Sequence, residues 1–288
     1  TARAKVNLAL HVLSRRADNY HNIESLAVFP EFGDLLSAVP SPSGETELTL
    51  DGEFGNELDL LSPQQENLVV RAAEALRRVS AKRPPPVKLI LTKRMPIAAG
   101  LGGGSADAAA TLRLLCRDWQ LKLEKDRLEK IALDLGADVP MCLASRPVIA
   151  RGVGENLSPV AGLPNLPLVL VNPRVPVSTS EVFSKLENAE RSPMIPMPPS
   201  FSSVIAFVIW LRQTRNDLLE PAKTMTRVVG TAIKALSADP ECLFARMSGS
   251  GATAFGIFAK LSYAQRAAER ISLQRPHWWV AATEVQGS

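Results

Sequence analysis

An α+β protein of two domains is what this sequence predicts, on three observations. The chain has 288 residues, and at roughly 150 residues per domain that length suits two. Its first half interleaves strand-like and helix-like patterns. Its second half reads strand, helix, strand, strand, helix, strand with extra helices inserted, which is the ferredoxin-like order. The halves are expected to meet near residues 155–165, giving domains of 1–158 and 159–288.

Each element has a local reason. Val6–Leu13 and Ser25–Val28 read as short strands, and Glu47–Leu50 as half of a hairpin closed near Asp51-Gly52. Leu68, Val69, Ala72, Ala73, Leu76 and Val79 recur at helical spacing, with Asn67 as N-cap and Pro84-Pro85-Pro86 beyond the end. Val87–Leu91 is a strand, Ala106–Leu115 a helix of small residues, and Glu124–Leu135 a helix stopped by Gly136. The second half gives strand Leu166–Val171, helix Ser180–Leu186, a proline-rich loop over 192–200, and helices Ser202–Arg212 and Ala222–Leu236. It ends with strands Leu243–Met247 and Ala254–Phe258, helix Ser262–Ile271 and strand Trp278–Ala282.

Composition excludes several classes. With 46% hydrophobic and 22% charged residues the chain is neither disordered nor collagen-like. A net charge of +4 is too small and too dispersed for a nucleic-acid footprint. Its densest cluster, Arg71, Arg77, Arg78, Lys82 and Arg83, reads as a solvated helix face. Cys116, Cys142 and Cys242 form no C-x-x-C pair, so neither a disulfide framework nor a zinc site is indicated. The longest apolar run, Val204–Leu211, falls well short of the roughly 18 residues of a membrane span. No signal-peptide h-region follows Thr1, and the absent initiator Met points to residues removed or left out ahead of it. A cytoplasmic protein is expected.

The strongest chemical signal is Pro96-Ile97-Ala98-Ala99-Gly100-Leu101-Gly102-Gly103-Gly104-Ser105-Ala106, between a strand and a helix. Backbone without Cβ atoms lets N–H groups converge on an oxyanion, and the next helix adds its dipole and unpaired N–H groups. The loop is not a Walker A motif, since no Lys-Ser or Lys-Thr follows the glycines, and it fails the G-x-G-x-x-G fingerprint at Ser105. Taken alone it is a phosphate cradle or a tight turn with close helix packing. Ser248-Gly249-Ser250-Gly251-Ala252-Thr253 is a second glycine turn that a plain hairpin would explain. Asp138, in Gly136-Ala137-Asp138-Val139-Pro140, follows a helix C-terminus whose dipole disfavours a carboxylate. Alone it reads as a surface turn residue.

Three segments in order, Ala4-Lys5-Val6-Asn7-Leu8, Pro96–Ala106 and Ser248–Thr253, resemble the motifs of the galactokinase, homoserine kinase, mevalonate kinase and phosphomevalonate kinase superfamily. Arg16-Ala17-Asp18-Asn19-Tyr20-His21 is similar to the R-A-D-G-Y-H of one branch, and Gly136–Pro140 to its G-A-D-V-P. Pro176–Phe183 and Arg215-Asn216-Asp217-Leu218 match further segments of that branch. The resemblance implies an N-terminal domain like domain 2 of ribosomal protein S5 and a C-terminal ferredoxin-like domain with inserted helices. It implies transfer of the γ-phosphoryl of ATP to the 2-hydroxyl of 4-diphosphocytidyl-2-C-methyl-D-erythritol, in non-mevalonate isoprenoid synthesis. Asp138 would be the general base, with Lys5 beside it stabilising charge. Pro96 to Ala106 would hold the ATP phosphates, bridged by Mg²⁺ whose protein ligands are not indicated. Tyr20 and Phe183 would stack on cytosine and His21 hydrogen-bond to it; base stacking is worth ~1–3 kcal/mol. Asn7 and Thr179 would touch the substrate, with Gly249 and Gly251 near the phosphates.

Three features depart from that pattern. Asn19 stands where the branch has Gly, though Asn tolerates a left-handed backbone. Asp107 stands where Asn is common and would place a negative charge near the nucleotide. The proline-rich stretch 193–199 matches no motif. Two rival functions stand beside the leading one: a kinase for another alcohol such as mevalonate or homoserine, and a catalytically dead relative that senses ligand. The first is disfavoured by Tyr20, His21 and Phe183, which such substrates would not need. The second is disfavoured by the presence of both Lys5 and Asp138.

Overall fold

The computed structural model describes residues 1–61, 66–80, 83–187 and 190–287. Lys82 of the basic cluster lies outside the described residues. In chain order β1 is Ala2–Arg3, β2 Val6–Arg15, β3 His21–Val28, β4 Gly33–Pro40 and β5 Glu47–Asp51. Helices α1 (Gly55–Leu61) and α2 (Leu68–Val79) lead to β6 (Val87–Thr92). Helices α3 (Gly103–Asp118), α4 (Lys125–Leu135) and α5 (Val139–Ala144) precede β7 (Val148–Gly152) and β8 (Asn156–Pro159). The rest runs β9 (Leu166–Asn172), α6 (Thr179–Ser184), α7 (Val204–Leu211), α8 (Leu219–Met225) and α9 (Val228–Ser237). Strands β10 (Cys242–Met247) and β11 (Ala254–Phe258), helix α10 (Leu261–Gln274) and strand β12 (Trp279–Val285) close the chain.

Contacts divide the chain into two units, each assembled from separate stretches. The first holds Thr1–Ala4, Phe32–Ile97 and Gly102–Ser145; the second holds Lys5–Glu31, Ala98–Leu101 and Arg146–Ser288. A single cut after residue 158 therefore coincides with neither, because β2 and β3 lie far upstream of the strands they join.

In the first unit, β4 and β6 are antiparallel, β1 joins the free edge of β4, and β5 lies parallel to β6. The expected hairpin at Asp51-Gly52 is thus corrected. Gly52 turns with φ 86° into α1, and a Cβ there would lie 2.5 Å from the Lys93 carbonyl oxygen. Chain reversal is left to the helices, the usual crossover for parallel strands. β6 alternates as its sequence does, burying Val87, Leu89 and Leu91. α2 buries Val69, Val70, Ala72, Ala73 and Leu76, and Asn67 caps it by accepting the Val69 N–H at 3.0 Å. Such a cap is worth about 1 kcal/mol. α3 carries Ala106, Ala108, Ala109 and Ala110 buried, so α2 and α5 pack on a helix of small side chains.

The second unit contains two antiparallel sheets, β2-β3-β7-β8 and β10-β11-β9-β12. Counted from β9, the latter has the 4-1-3-2 order of the ferredoxin-like fold, reached by β-α-β-β-α-β with three helices inserted before α9. Every residue of β9 is buried. Val169 and Val171 meet Ala232 and Leu236 of α9 and Ala264, Ala267 and Ile271 of α10. Fully burying one such aliphatic side chain contributes about 1.5–3 kcal/mol. The single helix expected over Ala222–Leu236 is two, because Thr226 takes an extended φ of −150° between α8 and α9. The proline-rich stretch is irregular, as its composition requires, and lies along the first of these sheets. Arg191 N–H donates to Leu13 O, Met194 N–H to the Glu24 carboxylate, and Trp210 Nε1 to Pro196 O.

Candidate active site

Within the second unit the two glycine-rich turns meet. Gly100 has φ 71°, and a Cβ on it would lie 2.6 Å from Ser248 O and 2.7 Å from Gly251 O. Ser248 Oγ donates to Gly100 O at 3.0 Å, and Thr253 N–H donates to Ala99 O at 3.2 Å. The glycine at 100 therefore serves close approach of one turn to the other. Asn7 N–H donates to Ser248 Oγ at 3.1 Å, and its side-chain amide donates to Ser25. Gly249 lies so near that a Cβ on it would be 3.3 Å from Asn7 Oδ1, an oxygen that is buried and has no partner. Thr179 and Ser250 share a hydroxyl–hydroxyl bond of 2.7 Å. Asn7, Thr179, Gly100, Gly249 and Gly251 are thus neighbours. Lys5 is buried, and its N–H donates to Leu101 O at 2.8 Å, which ties the N-terminal motif to the same loop.

Behind the second turn stands Asn216, from the Arg215–Leu218 segment that sequence matching noted without a role. Its buried amide donates to both Met247 O and Gly249 O at 2.9 Å, and its oxygen accepts Leu218 N–H at 3.0 Å. Asp217 accepts Val12 N–H at 2.7 Å and Arg215 Nε at 2.8 Å. No periodicity marks such residues, since their partners lie two residues away within the same irregular segment or 31 to 205 positions away.

The cytosine candidates also lie in this unit. His21 and Phe183 have ring centroids 5.2 Å apart at 34°. Burial, then Arg15 and Arg191, lowers the His21 pKa, which favours a neutral imidazole able both to donate and to accept. Phe183 lies one helical turn after Thr179 on α6, whose N-cap is Ser178. Asn19 adopts φ 68°, so the turn survives without glycine, closed by Arg16 N–H to Tyr20 O at 2.8 Å. Tyr20 at its end is 63% exposed, leaving the ring face open.

Within the first unit, Gly102 is the left-handed N-cap of α3 at φ 63°. The helix leaves the Gly103, Gly104 and Ser105 N–H groups without acceptors inside it. Gly103 and Gly104 are not required by packing: Cβ atoms there would be 3.5 Å from Lys93 Nζ and 3.6 Å from Leu68, ordinary contacts. Gly104 is exposed and Gly103 half-buried, so the helix start is accessible to a polyphosphate. Beneath them Asp107 is ion-paired on one oxygen. Lys93 Nζ pairs with Asp107 Oδ2 at 2.8 Å and also with Asp34, all three side chains being buried. Sequence reading missed Lys93 and Asp34 because they lie in strand-end positions with no motif of their own.

Asp138, also in this unit, is at the N-cap of α5, a short helix whose Pro140 falls in the first turn. The sequence places this carboxylate after the C-terminus of α4, where the dipole opposes it; the structure adds the favourable end of α5 directly after it. Among the described residues no group of three or more His, Cys, Asp or Glu is placed to hold a metal ion. No helix among the described residues is long and apolar enough to cross a membrane.

The model of the GHMP kinases N terminal domain matches residues 67–146, and that of the GHMP kinases C terminal domain matches residues 206–276. The chain belongs to the GHMP kinase family. It is 47% identical over 288 residues to the 4-diphosphocytidyl-2-C-methyl-D-erythritol kinase of Chelativorans sp. (strain BNC1), covering all of this chain and 96% of that one. It is 46% identical, over 100% of this chain and 95% of the other, to the kinase of the same name from Mesorhizobium japonicum. A crystal structure of 4-(cytidine 5'-diphospho)-2C-methyl-D-erythritol kinase superposes with a TM-score of 0.78 at 32% identity, over 100% of this chain and 98% of that one.

Proposed function

We propose that the chain transfers the γ-phosphoryl group of ATP to the 2-hydroxyl of 4-diphosphocytidyl-2-C-methyl-D-erythritol, a step toward isoprenoid precursors by the non-mevalonate route. The observation that carries this choice of substrate is the His21–Phe183 pair with the exposed Tyr20 ring at the adjoining turn. Mevalonate and homoserine offer no base to stack on such a surface.

Asp138 accepts the hydroxyl proton as the oxygen attacks, and Lys5 stabilises the charge that develops. Proton transfer to the carboxylate comes late in such a step. The N–H groups from Gly102 to Ser105 hold the phosphates, with Pro96 to Leu101 shaping the approach and Ala106 continuing the helix. Asn7 and Thr179 orient the methylerythritol, and Gly249 and Gly251 lie near the phosphates. Mg²⁺ comes to the site bound to ATP rather than held by a set of protein carboxylates. By role, residues 1–158 supply the nucleotide loop, Lys5 and Asp138, and residues 159–288 supply Thr179, Phe183 and the second turn. The enzyme works in the cytoplasm on small molecules, without nucleic acid or membrane.

The test is ATP consumption with Mg²⁺, run in parallel on the cytidylated alcohol, mevalonate and homoserine. Turnover with the first alone is expected. Turnover with another alcohol would overturn the cytosine pocket, and ATP binding without turnover on any would point to a ligand sensor.

A further inference from the structure

Asp34, Lys93 and Asp107 put two carboxylates on one buried ammonium. Asp34 is fully satisfied: Oδ1 accepts Arg94 N–H at 2.6 Å and Met95 N–H at 2.9 Å, and Oδ2 pairs with Lys93. Asp107 is not. Its Oδ2 meets Lys93 at 2.8 Å, while Oδ1 is buried with no partner. With both acids ionised the array carries one uncompensated negative charge away from water, which is costly. One proton on Asp107 removes it. Burial pushes the Asp107 carboxyl up to about 7, with Lys93 opposing and Asp34 reinforcing the rise.

Lys93 and Asp34 are the charged groups that act on Asp107. Arg3 of β1 acts on Arg113 farther along the helix, and Glu74 of α2 pairs with Arg77. Arg71 and Arg78 of α2 line a groove with Asp134 of α4, where Lys125 pairs with Glu129, and α5 carries no charged side chain. The array lies against the first turn of α3, with Lys93 Nζ 3.5 Å from where a Cβ on Gly103 would stand. That turn is where the proposed function seats the nucleotide, and the inference rests on that reading.

We propose that Asp107 sets the nucleotide affinity of the loop, by taking a proton from solvent onto Oδ1 when the polyphosphate binds at the start of α3. An ionised Asp107 and a polyphosphate repel; a protonated one leaves the array neutral. Affinity for ATP therefore falls as pH rises from 7 to 9, a range in which the terminal phosphate, with a pKa near ~6, is already ionised.

Calorimetric titration of the full chain with MgATP at pH 7, 8 and 9, in two buffers of different ionisation enthalpy, tests this. The wild type is expected to take up a fraction of a proton, with Kd rising several-fold to pH 9. Asp107→Asn is expected to take up none, to hold a flat Kd near the wild-type value at pH 7, and to lose the same pH dependence from KM for ATP but not from kcat. A purely structural role for Asp107 would move Tm and kcat without removing the proton. Should Asp107→Asn not fold, Asp107→Ser removes the same group. Equal pH dependence in variant and wild type, or no proton uptake by the wild type, overturns the proposal while leaving the ATP site standing. No binding of MgATP to the wild type at any pH overturns the ATP site and the proposal with it.

Discussion

In the proposed mechanism Asp138 and the aromatic pair bear on different halves of the reaction, so their variants should separate. Asp138→Asn keeps size and hydrogen-bonding shape but cannot accept the proton; turnover should fall at least 10²-fold while MgATP Kd changes little. Full activity would remove Asp138 as the base. Phe183→Ala should raise KM for the cytidylated alcohol by about 5–150-fold, from a stacking loss of ~1–3 kcal/mol, and leave KM for ATP unmoved. A matched rise in both would place Phe183 in general packing instead. Asp107 also gives a stability signature. Folding raises its pKa from 3.8 to about 7, so the native state binds more protons than the unfolded chain between those values. Stability falls as pH rises through that window, the loss being complete above about 7. Calorimetric Tm values of wild type and Asp107→Asn should therefore shift in favour of the variant from pH 4 to pH 7.5, and a constant gap would contradict this. Some of these residues are legible by eye: Asp138 sits in a motif. Asp107 is legible only as an odd substitution, because its partners Asp34 and Lys93 are 73 and 14 positions away.

At the scale of elements, the glycines of the main loop divide by what surrounds them. Gly100→Ala forces a methyl to within 2.6–2.9 Å of backbone atoms of Ser248 and Gly251 at a positive φ. Overpacking and left-handed strain together should cost about 2–5 kcal/mol, read as a lower Tm. Gly104→Ala meets only Leu68 Cδ1 at 3.6 Å in a helical turn. It should hold or raise stability by up to ~1 kcal/mol, yet raise KM for ATP by crowding the phosphates. If both variants lower Tm alike, the distinction between a packing glycine and a binding glycine fails. The loop and α3 are readable from sequence because four glycines precede an alanine-rich helix. For a corresponding reason the sequence predicts a β5 hairpin that the structure lacks: Asp51-Gly52 marks a turn, and a turn residue does not say whether a strand or a helix follows. The break between α8 and α9 has no Gly or Pro at Thr226 to announce it.

At the scale of the molecule, the second unit takes β2 and β3 from the N-terminus. Leu10 and Asn216 bridge in parallel, and Arg246 donates to Leu8 O at 3.0 Å and to Thr214. A fragment of residues 159–288 leaves Arg246, Asn216 and Asp217 facing missing partners. It should lack the cooperative unfolding of the full chain, and a sharp, native-like melt of that fragment would refute this. Local pattern in the sequence determined most of the strands and helices, the two glycine turns and the α+β class with its β-α-β-β-α-β C-terminal order, because periodicity, caps and backbone permissiveness act over a few residues. Only the tertiary structure decided that Gly100 is clasped by Ser248 and Gly251, that Asn216 holds the second turn, that β5 runs parallel to β6 and that Asp107 shares Lys93 with Asp34. Hydrogen bonds and ion pairs across such separations leave no spacing in the chain, since the geometry that makes them exists only after burial has drawn the segments together.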